Sequence, residues 1–277
     1  FFSASNPSIE NGGMLGESKS AILNKIPAEY RPAMVVVPLN MEWMIALVKL
    51  RSAGIRFPFI VKPDIGERGN GVRRIHHEEE FKAYLEKSPC AVIAQELIEW
   101  PEEYGVFYVR IPGEEKGRVT SVVKKGFLSV YGDGTSNVEQ LMEKNPRAVL
   151  QIERFRKEYA HKLELVPAAG ELKLLEPIGN HCKGTTFFNA NHLINEGMTE
   201  TFDAIAKKID GFYFGRFDVR CRTEEDVITG QQMRILELNG AGSEPAHIYD
   251  PESSIFSAWA SLLDHWHLLY KVSAANH

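Results

Sequence analysis

The chain has 277 residues, 44% of them hydrophobic and 25% charged, a composition that excludes disordered and fibrous classes. With 32 Lys and Arg against 37 Asp and Glu the formal net charge is -5, so no global basic field exists to hold a polyanion and nucleic acid is not an expected partner. Cys90, Cys182 and Cys221 are odd in number and show no close C-x-x-C spacing, which fits a reducing, cytoplasmic setting and argues against a zinc knuckle.

No run of about 18 apolar residues occurs, so no membrane span is expected. The start, Phe1-Phe2-Ser3-Ala4-Ser5-Asn6-Pro7, lacks the charged stretch and apolar core of a secretion signal, and it opens without a Met, which leaves room for an upstream piece. Residues 8 to 17 hold three glycines and read as a loop, after which Ser18 caps a helix through about Ile26. A short apolar strand, Met34 to Val37, and a helix from Glu42 to Ser52 stopped by Gly54 follow.

Phe57 to Pro63 is an apolar strand ending in Lys62 and a proline. The loop Asp64 to Gly71 and the strand Val72 to Ile75 complete a hairpin with a glycine-rich tip. Lys62 then stands beside backbone N–H groups able to turn toward a phosphate. No G-x-x-x-x-G-K-[ST] loop is present, and Gly66, Gly69 and Gly71 alone read first as a flexible hairpin tip; the lysine and the carboxylate pair beside them shift the reading toward a phosphate loop. A helix (Glu78 to Glu86) leads to the strand Ala91 to Ile98, and strands follow over 104–111 and 118–124. Beyond Gly132-Asp133-Gly134-Thr135, Ser136 with Glu139 reads as a capping box.

A helix over 198–211 precedes two strands. In Gly215 to Cys221 alternation puts Arg216, Asp218 and Arg220 on one face; in Met233 to Asn239 it puts Glu237 and Asn239 on one face. Antiparallel pairing would gather Asp218, Glu237 and Asn239, an oxygen-only set suited to Mg²⁺ rather than zinc or copper. Two acids on a solvated sheet face are the competing reading. The last helix, about Ser254 to Tyr270, carries Ile255, Trp259, Leu262, Leu263, Trp266 and Leu269 along one stripe, expected to face the core.

The segments FPFIVKPDIGERGNGV, AVIAQELIEWPEEYGV, GRFDVRC and ILELNGAGSEP, in that order, resemble the ATP-grasp superfamily of carboxylate-amine ligases, including D-alanyl-D-alanine ligase. The stretches VYGDGTSNVEQLMEKN and LVPAAGELKLLEPIGNHCKGTTF resemble the cyanophycin synthetase and glutamate-ligase branch. The resemblance implies an α+β protein of two subdomains clasping ATP, with a shortened or absent N-terminal α/β domain. Its parts would be a helical segment (1–56), a lid subdomain (57–97) and a C-terminal subdomain with the metal-binding strands and last helix (98–277).

By the same resemblance, Lys62 would bind ATP phosphates under a lid of Gly66, Gly69 and Gly71. Gln95, Glu96, Leu97 and Ile98 would form the adenine-reading hinge, and Glu103 would accept from the ribose. Asp218, Glu237 and Asn239 would hold one or two Mg²⁺ (or Mn²⁺) ions, and Arg216 would face an acyl phosphate. Lys124 is a further phosphate or substrate candidate, with a solvated strand end as its competing reading. Lys19 is the best candidate for a second phosphate lysine, while His181, Cys182 and His247 read as structural or substrate contacts rather than nucleophiles. The implied activity joins a small-molecule carboxylate to an amine on amino-acid or peptide-like substrates. A thiol acceptor, a phosphoryl-transfer outcome and a nucleotide binder without ligase activity are the rivals, and a homodimer is compatible with all of them.

Overall fold

The computed structural model describes residues 2–66 and 69–277. Its first part runs α1 (Lys19–Lys25), β1 (Met34–Val37), α2 (Trp43–Ser52), β2 (Phe59–Pro63), β3 (Arg73–Ile75), α3 (Glu78–Lys87) and β4 (Val92–Glu96). The second runs β5 (Glu102–Val109), β6 (Arg118–Gly126), β7 (Leu128–Tyr131), α4 (Val138–Glu143), α5 (Ile152–Glu158), α6 (Ala160–Leu163), β8 (Leu172–Glu176) and β9 (Thr186–Asn189). It continues with α7 (Glu196–Lys207), β10 (Phe214–Cys221), α8 (Glu224–Thr229), β11 (Met233–Asn239) and α9 (Ile255–Ala275).

The four-stranded sheet has the order β1-β4-β2-β3, all antiparallel. Its core joins Val37, Ala46 and Leu50 to Phe59, Val61, Phe81 and Ala94, with Phe59 and Phe81 edge to face at 5.2 Å. Residues 34–55, which the sequence reading set apart from the hairpin, therefore share one core with it. The preceding residues go the other way: Ile9, Ile22, Leu23 and Ile26 pack with β5, β10 and β11. Asn6 fixes that arrangement by donating to the Phe214 carbonyl (2.8 Å) and accepting from the Phe214 amide (3.0 Å).

The five-stranded sheet, β11-β10-β5-β6-β9, is also antiparallel. One face, with Tyr104, Val106, Tyr108, Phe217 and Val219, is covered by α7 through Phe202, Ile205 and Ala206. The other face meets α9 at one end, where Phe107 and Phe214 pack on Leu269 and Val272, and it opens into a cleft at the other. The two-stranded antiparallel sheet β7-β8 builds a small third core with α4 and α5 around Val138 and Phe155.

Two local expectations change. The capping box lies one residue later, with Asn137 and Gln140 exchanging bonds, because Asp133 already takes the Ser136 amide (2.6 Å) and hydroxyl (2.7 Å). The stripe on α9 is core only in part: Ile255, Trp259, Leu263 and Trp266 are exposed and Leu262 is half-buried, while Leu269 of the same stripe faces inward with His265, Val272 and Ser273. The sheet accepts the line of smaller side chains, and the bulky line two positions round the helix is left outside.

Candidate active site

Between the two sheets lies a cavity of about 620 Å³, within the range of small-molecule sites. Strand pairing explains its polar wall. Asp218 on β10 stands opposite Glu237 on β11, and Arg216 opposite Asn239, so the four predicted side chains meet as cross-strand neighbours. On its other edge Asp218 stands opposite Gly105, which stands opposite Val123. Two residues along those strands on the same face are Glu103 and Lys125, and both line the cavity.

These charges form a buried, cross-paired network. Arg216 donates to Asp218 through Nε to Oδ1 (2.7 Å) and through Nη2 to Oδ2 (3.3 Å), and through Nη1 to the Glu244 carbonyl (3.4 Å). Lys125 Nζ lies 2.9 Å from Glu103 Oε1 and 3.1 Å from Asp218 Oδ2, and Arg220 Nε lies 3.7 Å from Glu103 Oε2. Burial pushes the Asp218 carboxyl up, but Arg216 and Lys125 outweigh it and hold the group at about 2. Burial likewise acts against the charged form of Lys125, yet Asp218 and Glu103 raise its ammonium above the ordinary lysine value. Gly179 lets the 177–180 segment approach this network, since a Cβ there would sit 2.2 Å from Glu103 Oε1.

Lys62 reaches across from β2 and donates to the Leu236 carbonyl at 3.2 Å. Burial lowers its ammonium most and the Lys19 charge adds to this, against the attraction of Glu237, Asp64 and Asp218. A lysine depressed in this way gains most from an anion brought beside it. Lys19 lines the same cavity and donates to the Gly66 carbonyl, while Asp64 holds the start of α1 through Ser18 Oγ (2.8 Å) and the Ser20 amide (2.8 Å). Gly66 and Gly69 line the cavity as well. Gly71, at φ +72°, has no room for a side chain, because a Cβ would lie 2.7 Å from Pro63 Cγ. Glu67 and Arg68 of the predicted loop lie outside the described residues.

In the hinge, Gln95 is buried and faces the cavity with Glu96, Leu97 and Ile98 at its rim. The Glu96 carboxylate is taken by the Ala33 amide (3.1 Å), and the Ile98 carbonyl accepts from Arg220 Nη1 (3.0 Å). Lys124 does not join the site: it pairs with Glu102 at 2.7 Å on the opposite side of β6. Lys125, not singled out from the sequence, is the lysine of that pair in the cleft. His181 and Cys182 line the cavity beside Phe187 and Tyr249, and burial with the nearby Arg147 lowers the His181 imidazole below its usual value. His247 instead bridges Ser121 (2.7 Å) on β6 and Ser261 (3.2 Å) on α9, and is not among the residues lining the cavity.

Among the described residues, eight buried side-chain polar atoms lack a hydrogen-bond partner, and five of them belong to cavity-lining residues: Glu17, Arg74, Gln95, Arg220 and Asn239. Unsatisfied buried groups are uncommon in folded proteins, and their concentration in one cavity marks it as a place for a polar ligand. No cluster of three or more His, Cys, Asp or Glu side chains is arranged to hold a metal ion among the described residues. Two carboxylates and an amide still fit Mg²⁺, which is typically held by one or two carboxylates together with substrate phosphates.

No family model matches the chain, and no curated protein matches it in sequence. Solved structures do. The VanG D-Ala:D-Ser ligase of Enterococcus faecalis is similar over 94% of this chain and 61% of its own, with a TM-score of 0.50 and 12% identity. The D-alanine–D-alanine ligase of Bacillus anthracis is similar over 93% of this chain and 67% of its own (TM-score 0.49, 14% identity). The bifunctional glutathione synthetase of Pasteurella multocida is similar over 91% of this chain and 35% of its own (TM-score 0.45, 16% identity). The chain thus spans about three fifths of the D-Ala:D-Ser ligase. Two antiparallel sheets enclosing a polar cleft, matched over nearly the whole chain by that ligase, are the ATP-grasp fold.

Proposed function

We propose that this chain is an ATP-dependent ligase that joins a carboxylate to an amine through an acyl phosphate, on amino-acid or peptide-like substrates. The observation that carries the reading is the convergence of Lys62, Lys125, Arg216, Asp218, Glu237 and Asn239 on one cavity enclosed by both sheets. Such a set supplies positive charge and a hard-cation site without any covalent nucleophile, which is what phosphoryl transfer requires.

In this reading the substrate carboxylate oxygen attacks the γ-phosphorus of ATP, the bond to the β-phosphate oxygen breaks, and ADP leaves. The amine nitrogen then attacks the acyl carbon, the C–O bond to phosphate breaks, and the nitrogen loses a proton as the amide forms. Lys62 and Lys125 offset the phosphate charge, with Gly66, Gly69 and Gly71 supplying backbone beside it. The Glu96 carbonyl and Ile98 amide read the adenine edge with the Gln95 amide nearby, and Glu103 accepts from the ribose. Asp218, Glu237 and Asn239 would hold Mg²⁺, which when bound neutralises the charge of the phosphates.

Arg216 has five N–H groups and spends three on Asp218 and the Glu244 carbonyl. The remaining two can hold the acyl phosphate and the oxyanion of amine attack, charges that exist only during reaction. The test is a screen of amino acids, dipeptides and small dicarboxylates for ADP release, with product masses read in parallel. An amide product with stoichiometric ADP supports the ligase. A thioester, a phosphorylated product or ATP binding without turnover would replace it with the corresponding rival.

A further inference from the structure

The cavity has an end that the hinge does not reach. On β10, Arg216 and Arg220 share a face four residues apart, about 13 Å along the strand. Arg220 donates to the Ile98 carbonyl of the hinge, whereas Arg216 donates to the Glu244 carbonyl at 3.4 Å. The wall beside Glu244 is aromatic: the His181 ring lies 5.1 Å from both the Phe187 and the Tyr249 rings, and all three line the cavity. This wall is held in place from behind. Phe187 on β9 packs with Val123 and Ala246, and the Asp250 carboxylate takes the Asn189 amide (2.5 Å), which ties the turn bearing Tyr249 to the same strand. Arg147 Nη2 donates to the His181 carbonyl (2.8 Å) and Gln151 Nε2 to the Cys182 carbonyl (3.1 Å). Tyr249 nevertheless remains 43% exposed, so the wall is formed and open.

Charge says which substrate such a wall takes. The cations of β10 are spent on other acids, Arg216 on Asp218 and Arg220 on Glu103. The Glu244 carboxylate accepts from the Tyr249 hydroxyl through Oε2, and its Oε1 accepts from no other side chain among the described residues. Burial and that carboxylate push the Tyr249 phenol up to about 12, which keeps it a donor at neutral pH, while burial and Arg147 lower the His181 imidazole and leave it uncharged there. Glu17, a second acid lining the cavity, has a buried carboxylate oxygen without a hydrogen-bond partner. A carboxylate brought to this end would be repelled. An ammonium would be drawn to Glu244 with its carbon skeleton against the rings.

We infer that the wall of His181, Phe187 and Tyr249 with Glu244 binds the amine substrate, and that this substrate is a primary amine on an apolar skeleton with no carboxylate beside its nitrogen. The inference rests on the ligase reading and assigns the amino-acid or peptide-like carboxyl to the other substrate. Arg216 joins the two sites, because it bonds Asp218 on one side and the Glu244 carbonyl on the other. The amine nitrogen therefore arrives beside the guanidinium that would hold the acyl phosphate. An α-amino acid in the same place would set its own carboxylate near Glu244, a like-charge contact that selects against it.

The test is calorimetry in the presence of Mg²⁺ and ADP, with phenethylamine as the probe and phenylalanine as its carboxylated counterpart. Phenethylamine should bind with a dissociation constant at or below about 1 mM, and phenylalanine at least ~10-fold more weakly. Glu244→Gln and Tyr249→Leu should each weaken phenethylamine about 10-fold or more, with unchanged circular dichroism spectra. Absence of phenethylamine binding, phenylalanine bound as tightly, or binding indifferent to both substitutions would overturn the inference. Amide formation judges the ligase reading separately. If phenethylamine binds as expected but no amine yields an amide, that reading falls and the amine site stands. Amide formation from amino acids with an amine KM unmoved by Glu244→Gln would sink the amine site and leave the ligase.

Discussion

In the cleft Lys62, Glu103, Lys125 and Asp218 are buried, whereas along the outer face of α9 two tryptophans, a leucine, a phenylalanine and a tyrosine stand more than half exposed. The two regions depart from the usual distribution of side chains in opposite senses, and the manner differs too. The cleft charges are cross-paired by the folded chain itself, so their arrangement survives without a ligand while the orphaned amides of Gln95 and Asn239 wait for one. The outer face of α9 shows the reverse: Phe256, Trp259, Leu263 and Trp266 stand more than half exposed, with the Phe256 and Trp259 rings edge to face at 6.3 Å. A buried polar network specifies a ligand through the geometry of its donors and acceptors, while exposed apolar side chains offer contact area without that geometry.

The comparison breaks most sharply at Lys125. Lys125→Ala would leave Glu103 and Asp218 short of their shared cation, a loss of about 3–5 kcal/mol for removal of one member of a buried pair. Denaturant midpoints should fall accordingly and ATP turnover should vanish. A variant of near-wild-type stability would mean that the network is looser than its distances indicate.

Arg216→Lys comes next. It keeps the charge beside Asp218 but loses the planar fork, so kcat should drop about 10²- to 10³-fold with much less change in ATP affinity by calorimetry. Equal losses in both would make Arg216 a binding residue only. Glu237→Gln should raise the Mg²⁺ concentration needed for half-maximal turnover while leaving the fold intact, since it removes one charge from the cation site. Turnover with an unchanged Mg²⁺ requirement would take Glu237 out of that site.

Acid tests the network without mutation. Asp218 is held at about 2 in the folded chain, below the ordinary carboxylate value of 3.8, so its contribution is complete above about pH 4 and fades as pH falls toward 2. That contribution is about 2 kcal/mol. Asp218→Asn should be less stable at neutral pH and lose less stability between pH 4 and 2 than wild type. The smallest effect is expected at Lys124→Ala: its pair with Glu102 is partly exposed and outside the cleft, so stability should change by no more than ~1 kcal/mol and turnover hardly at all.

Sequence alone determined that Arg216 shares a face with Asp218, and Glu237 with Asn239, because the two-residue period of a strand holds whatever the strand pairs with. It also marked the lysine before the glycine hairpin, since Lys62 ends an apolar run and the turn chemistry follows directly. The choice between Lys124 and Lys125 was not local: adjacent lysines on a strand must point opposite ways, and only the register running Asp218, Gly105, Val123 across three strands says which one enters the cleft. The same holds for the capping box, where Asp133 had already taken the Ser136 groups and moved the helix start to Asn137. On α9 the helical period put Trp259, Trp266 and Leu269 on one stripe, expected to face the core, and could not show where that stripe divides. Tertiary packing decided the division, because the sheet offered Phe107 and Phe214 as a place for Leu269 and Val272, and the line bearing Trp259 and Trp266 was left to face outward.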